Sequence, residues 1–223
     1  LADIKTGEIS GYDVDFVRAI ARRLDVRLEI TPFSGEENER ISFLTEGKVD
    51  IVAATMTITR EREKLIDFSH PYFVTAQKFL VHKDTVQRLS DLKNKQIGTV
   101  DQTTSVENLR KALPSASIVL FTGYVPAFLS LQNRQIFAVS TDEAILAGIL
   151  AKSDKDVFEI PKVSISRKPY GLGVRKGQTS FLRFVNQALL EMEHSGEAKR
   201  IFDKWFGPES SAPLERTFRI TAK

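Results

Sequence analysis

The stretch from residue 96 to residue 151 constrains the fold most, because apolar runs and helix-like segments alternate there without a break. Gln96-Ile97-Gly98-Thr99-Val100 reads as a strand, and Asp101-Gln102-Thr103-Thr104-Ser105 opens a helix over Val106–Leu113, with Ser and Thr suited to capping. Ile118–Phe121 reads as the next strand, Ala127–Gln132 as a helix and Ile136–Val139 as a third strand. Thr141-Asp142-Glu143 then opens the helix Ala144–Ala151. Strands that alternate with helices predict an α/β protein with parallel sheets.

The flanks extend this pattern. Val14, Phe16, Val17, Ile20, Ala21 and Leu24 form an apolar stripe at helical spacing, and Asp13 or Asp15 suits the helix start. Leu1 to Ile9 reads as a loop with no strand before it. Arg27-Leu28-Glu29-Ile30 alternates as a strand, and Arg40–Leu44 reads as a short helix leading to Gly47 and the strand Val49–Val52. Phe79–Val81 is apolar and strand-like, and Leu89–Lys93 reads as a helical turn. Beyond residue 169, Tyr170–Val174 is a strand with two glycines. Phe181–Glu193 is an amphipathic helix, and a last helix carries Ile201, Phe202 and Trp205. The 42% hydrophobic content, with fifteen Phe, supplies ample core for 223 residues.

Several function classes lose ground at once. A net charge of +3, from 32 basic and 29 acidic residues, argues against a polybasic nucleic-acid tract. With no Cys, disulfides and cysteine-rich metal sites are excluded. His70, His82 and His194 lack metal-ligand spacing, no nucleophile elbow surrounds Ser69-His70, and Gly171-Leu172-Gly173 lacks the third glycine of a dinucleotide fingerprint. No cofactor and no metal are therefore expected. No run reaches transmembrane length, and no signal peptide opens the sequence, so a mature or trimmed form is expected.

One segment carries recognisable chemistry. Val49–Val52 runs into Ala53-Ala54-Thr55-Met56-Thr57-Ile58-Thr59-Arg60-Glu61-Arg62, with hydroxyls at period two and a charge cluster that opens a helix. Free backbone N–H groups, short hydroxyls and a guanidinium in a small volume suit a carboxylate. The plainer alternative is a capped helix start with an exposed arginine. Asp67-Phe68-Ser69-His70-Pro71-Tyr72-Phe73 follows, then the Phe79–Val81 strand.

This combination resembles the polar amino-acid family of periplasmic solute-binding proteins, the receptors of ABC importers. The resemblance runs from Gly7-Glu8-Ile9-Ser10-Gly11-Tyr12-Asp13-Val14-Asp15 to Asp203-Lys204-Trp205-Phe206. It implies a two-lobed α/β fold of type II with the ligand in the cleft between the lobes. Lobe 1 would comprise 1–82 plus 169–223 and lobe 2 would comprise 83–168, with Phe79–Lys83 and Lys168–Val174 as the crossing segments. The strand that opens the family's fold has no counterpart ahead of Gly7.

The same resemblance assigns roles. Arg62 matches the arginine that binds the ligand's α-carboxylate; the alternative is a helix-surface ion pair with Glu61 or Glu63. Thr57 matches the hydroxyl beside that carboxylate, and Thr55 a position that meets the ligand through its backbone. Thr104, after Thr103, matches the helix start of the second lobe, where Gln102 replaces the family's frequent glycine. Asp142 matches the acid that pairs with the ligand's α-ammonium, and also suits a plain N-cap. Within the family the chain looks most like the glutamate/aspartate-binding branch, because Arg40-Ile41-Ser42-Phe43-Leu44 fits that branch's arginine, with Ser42 in place of Pro. Arg40 would take a side-chain carboxylate; alternatively it is a solvated arginine among Glu36, Glu37 and Glu39. Tyr124 falls where that branch carries a histidine. The implied function is capture of an L-amino acid, glutamate or aspartate or their amides, for an ABC transporter's permease subunits. The protein would be a monomer in the periplasm or another extracytoplasmic space, and not an enzyme. Two rival readings are a cyclohexadienyl-dehydratase-like enzyme on the same fold and the sensor domain of a larger membrane receptor.

Overall fold

The computed structural model describes residues 9–32 and 37–222, without the side chains of Glu37 and Asn38. The expected loop over Leu1–Glu8 and the side chains of Glu36 and Glu37 lie outside the described residues. The chain divides into two compact units: 1–74, 169–210 and 215–223 form unit 1, and 75–168 with 211–214 form unit 2.

In unit 1, α1 (Tyr12–Leu24) buries Tyr12, Phe16, Val17, Ala19, Ile20 and Ala21, the face that its sequence stripe predicts. Asp25 ends it in the left-handed conformation, with its N–H returned to the carbonyls of Ala21 and Arg22. Next come α2 (Glu37–Thr45), β1 (Ile51–Val52), α3 (Arg60–Glu63) and β2 (Ile66–Phe68). After unit 2, the chain supplies β9 (Gly173–Arg175), α7 (Thr179–His194) and α8 (Glu197–Phe206). The sheet runs β1-β9-β2 with both pairings antiparallel, so this unit departs from the parallel pattern expected throughout. Val52, Ile66 and Phe68 of this sheet form one core cluster with Leu44 and Met56. A Cβ on Gly173 would meet Leu44 and Ile66 at 3.1–3.2 Å, so this strand needs glycine for close approach.

A second core in unit 1 is aromatic. Phe73 has the rings of Tyr12, Tyr170, Phe202, Phe206 and Phe218 around it at centroid distances of 5.0–6.1 Å. Arg216 grips the Glu193 carboxylate through both terminal nitrogens, at 3.2 and 2.5 Å, and lies over the Phe218 ring.

In unit 2 the order of elements is β3 (Phe73–His82), β4 (Gln96–Val100), α4 (Thr104–Ala112), β5 (Ser117–Phe121), α5 (Tyr124–Gln132), β6 (Ala138–Asp142), α6 (Glu143–Leu150), β7 (Phe158–Glu159) and β8 (Ser166–Tyr170). The sheet runs β5-β4-β6-β3-β7, with β8 also on β3. Pairing of β4 with β5 and β6 is parallel, as the alternation predicts; β3 is antiparallel to β6 and β7. Phe79 and Val81 pack on one face with Ile97 and Leu109, whereas Leu80 packs on the other with Val139 and Leu146. The period-two alternation of a strand explains the split.

Two expectations differ from this description. Arg27–Ile30 has no strand pairing among the described residues, and Val26 and Ile30 are 56% and 38% exposed. Alternation alone cannot make a strand without a ladder partner. The chain leaves unit 1 at Val74–Thr75, inside β3, rather than at Phe79–Lys83; it leaves unit 2 at Lys168–Pro169, inside β8. Because β3 is one unbroken strand, its hydrophobic pattern does not mark the passage.

Candidate functional site

In unit 1 the candidate residues gather where β1 ends. Ala53–Thr59 leaves the strand as a short extended run, tied by Ile58 N–H to the Pro169 carbonyl and by Gly171 N–H to the Met56 carbonyl. Thr59 caps α3, its hydroxyl accepting the Arg62 N–H at 3.2 Å. This cap places Arg62 one turn into the helix, with its side chain folded back. Its Nη1 donates to the Thr57 carbonyl at 2.5 Å, and the residue is only 7% exposed. The exposed-arginine reading therefore does not hold. Thr57 is buried beside it, and Arg40 donates to the Ala54 carbonyl at 2.6 Å from α2, so two guanidinium groups converge on one strand-end turn. Ser42, where the branch pattern has proline, returns its hydroxyl to the Glu39 carbonyl.

Thr55 holds the turn's tightest point, at φ +48°. A non-glycine residue there pays about 1–2 kcal/mol. Its N–H donates to Asp13 at 3.0 Å, and Asp13 also accepts the Tyr72 hydroxyl at 2.6 Å. Burial pushes the Asp13 carboxyl above its ordinary range, against the lowering effects of those two donors and of Arg40. Sequence reasoning places Asp13 only at a helix start. Its part in the turn depends on a partner 42 residues away, for which the local sequence gives no signal.

In unit 2, Thr103 precedes α4 without the side-chain cap bond that the sequence suggests, because its hydroxyl donates to the Val100 carbonyl at 2.8 Å; Thr104 is the first helical residue. Gln102 sits at φ +56°, which is why glycine suits this position. The Thr141 hydroxyl donates to the Tyr124 oxygen at 2.8 Å, so Tyr124 lies beside the strand end that carries Asp142. Asp142 is 5% exposed and starts α6, but no side-chain cap bond forms there. Its Oδ1 lies 2.6 Å from Lys168 Nζ. Lys168, 2% exposed, also donates to the Ser105 hydroxyl at 2.9 Å. Gln77 braces the group: its amide donates to the Ser105 carbonyl and the Ser140 hydroxyl, and its oxygen accepts from Asn108. Lys168 is the residue that sequence reasoning misses. In Ser166-Arg167-Lys168-Pro169 it looks like a solvated charge, and only its inward place in the β8 alternation distinguishes it from exposed Arg167.

Among the described residues, no group of three or more His, Asp or Glu side chains is placed to hold a metal, and no helix is long and apolar enough to cross a membrane. Each unit thus gathers polar groups at strand ends and helix starts. One carries arginine and hydroxyls, and the other carries a carboxylate, a lysine and hydroxyls.

Residues 3–208 match the family model described as bacterial extracellular solute-binding proteins, family 3. The chain belongs to that family. It is similar to the ABC transporter glutamine-binding protein GlnH of Bacillus subtilis, with 35% identity over 92% of this chain and 76% of that one. The L-glutamate/L-aspartate-binding protein of Pseudomonas aeruginosa is 31% identical over 90% of this chain and 70% of that one. Among solved structures, an ancestral arginine-binding protein bound to glutamine is 36% identical with a TM-score of 0.80, covering 91% of this chain and 90% of that chain. The fold is that of the periplasmic amino-acid-binding proteins, and this chain is a solute-binding protein.

Proposed function

We propose that this solute-binding protein captures a free polar L-amino acid outside the cytoplasm and passes it to the membrane subunits of an ABC transporter. The observation that carries this reading is the buried Arg62. A guanidinium at 7% exposure, held against the Thr57 carbonyl at a capped helix start, suits an α-carboxylate. Thr57 and the Thr55 turn line the same half-site, and Thr104 offers a hydroxyl and a helix-start amide in unit 2. Asp142 is the acceptor for the α-ammonium. Arg40 and Tyr124 are assigned to the side-chain end, which favours a carboxamide or carboxylate: glutamine or glutamate, with asparagine and aspartate as shorter competitors. The relatives named for glutamine and for glutamate and aspartate support that class without choosing within it. The protein acts as a binder rather than an enzyme.

Isothermal titration with the amino acids tests the reading. Glutamine or glutamate should bind one to one. Arg62→Ala should weaken binding by about thirty- to several-thousand-fold, since truncating one partner of a desolvated charge pair costs about 2–5 kcal/mol. A folded protein that gives no heat and no thermal shift with any amino acid would refute the proposal. Wild-type affinity in Arg62→Ala would remove Arg62 from the site.

A further inference from the structure

We propose that Asp13 is a positioning residue for amino-acid binding: with Arg40 it clamps the peptide between Ala54 and Thr55, and so fixes the direction of the Thr55 backbone toward the ligand. The inference deepens the function proposed above and rests on it, since that reading assigns the Thr55 turn to the ligand. All of the groups involved lie in unit 1.

The argument starts from the strain at Thr55. A left-handed φ of +48° is unfavourable for a residue with a Cβ, and such a conformation persists only where its surroundings hold it. Two side chains do so. The Thr55 N–H donates to Asp13 Oδ2 at 3.0 Å, and the carbonyl of the same peptide, that of Ala54, accepts from Arg40 Nη1 at 2.6 Å. In a trans peptide the N–H and the C=O point in opposite directions, so an acid and a base grip one planar unit from its two sides. Turning that plane would break both bonds. Beyond the turn, Met56 is fully buried and its carbonyl accepts the Gly171 N–H, which anchors the chain after Thr55. The carboxyl of Asp13 is itself fixed. Its Oδ1 accepts the hydroxyl of fully buried Tyr72 at 2.6 Å, and the Tyr72 carbonyl accepts the Tyr12 hydroxyl at 3.0 Å, next in sequence to Asp13.

This bond matters more to binding than to stability. Thr55 is exposed, so water can take over its N–H in the free protein. Water does not fix the direction of the peptide plane. Without the carboxyl, Thr55 relaxes toward negative φ, and a ligand must restore the left-handed turn at the expense of its own binding energy. That cost is read as lower affinity.

The test is isothermal titration with glutamine and with glutamate. Asp13→Ala should weaken binding by about five- to thirtyfold, the equivalent of restoring one left-handed residue. Asp13→Asn should stay within about threefold of wild type, because its amide oxygen accepts the Thr55 N–H and its NH2 donates to the Tyr72 oxygen. In a Thr55→Gly background, where the left-handed conformation is free of strain, the loss from Asp13→Ala should shrink to about threefold or less. A merely structural role would lower the melting temperature and leave the affinity of the folded protein in place. Should Asp13→Ala fail to fold, Tyr72→Phe keeps the ring and frees the carboxyl; a severalfold loss, relieved by Thr55→Gly, is then expected. Unchanged affinity in a folded variant, or an equal loss in the Thr55→Gly background, overturns the positioning role and leaves amino-acid binding standing. Equal losses in Asp13→Asn and Asp13→Ala also overturn it, since Asp13 would then meet the ligand by its charge. A wild-type protein that binds no amino acid overturns both proposals.

Discussion

Removing the carboxyl of Asp13 should destabilise unit 1, and by more in acid than at neutral pH. Asp13 accepts two hydrogen bonds whose donors differ in exposure. Tyr72 is fully buried, so its hydroxyl, left unpaired in Asp13→Ala, costs about 1–3 kcal/mol. Thr55 is exposed, and water can take over its N–H for a fraction of a kcal/mol. The expected loss is therefore about 1–3 kcal/mol. Its pH dependence follows from burial, which raises the carboxyl's folded-state pKa above its unfolded value near 3.8. A raised acid stabilises the fold fully below the unfolded pKa, and that contribution is lost as pH rises through the folded pKa. Wild type should thus exceed Asp13→Ala by more at pH 4 than at pH 7. Urea denaturation at both values, followed by circular dichroism, measures the two gaps. A gap that widens toward neutral pH would show the carboxylate to be better stabilised in the fold than in water. Equal stabilities at both values would mean that the tie to Tyr72 contributes nothing.

Other substitutions probe separate parts of the molecule. Gly207→Ala places a Cβ 2.4 Å from the Asp203 carbonyl oxygen, a backbone clash that no rotamer relieves, and should lower the melting temperature by several degrees in a thermal scan. Glu193→Gln breaks the two-pronged grip of Arg216 at a site where both side chains are under a fifth exposed, and should cost about 2–4 kcal/mol by chemical denaturation. Arg216→Ala should cost a similar amount, and the two changes together less than their sum; simple additivity would indicate no coupling. At Gln102, Val should be worse than Gly by about 1–2 kcal/mol, because φ +56° crowds a β-branched side chain. Equal stabilities would mean that the turn relaxes.

Much of unit 2 is legible in the sequence because local rules and global packing agree there. Strand runs of about five residues alternate with helices, and β4 and β5 meet as parallel neighbours. Arg62 is legible for a related reason: a threonine cap, a short helix and a strand end are all local signals. What escapes is set by partners distant in sequence. Arg27–Ile30 has a strand's alternation but no ladder to join among the described residues. Asp13 needs Thr55, and Lys168 needs Asp142 and Ser105. The passage between units hides inside β3, whose hydrogen-bonding runs straight through it.

The strand order of unit 1 has a consequence for how the protein is made. β9 is the middle strand, and β1 and β2 pair with it rather than with each other. When the ribosome has delivered residue 168, every element of unit 2 up to Lys168 has emerged in one contiguous block, and that sheet can close. The first 74 residues still lack the strand that joins their two edges, along with α7 and α8. Until β9 emerges, β1 and β2 stay unpaired, the form of edge that recruits foreign strands. The later-made segment from Gly173 to Arg175, three residues long, ends that exposure by filling the gap between two strands synthesised more than a hundred residues earlier.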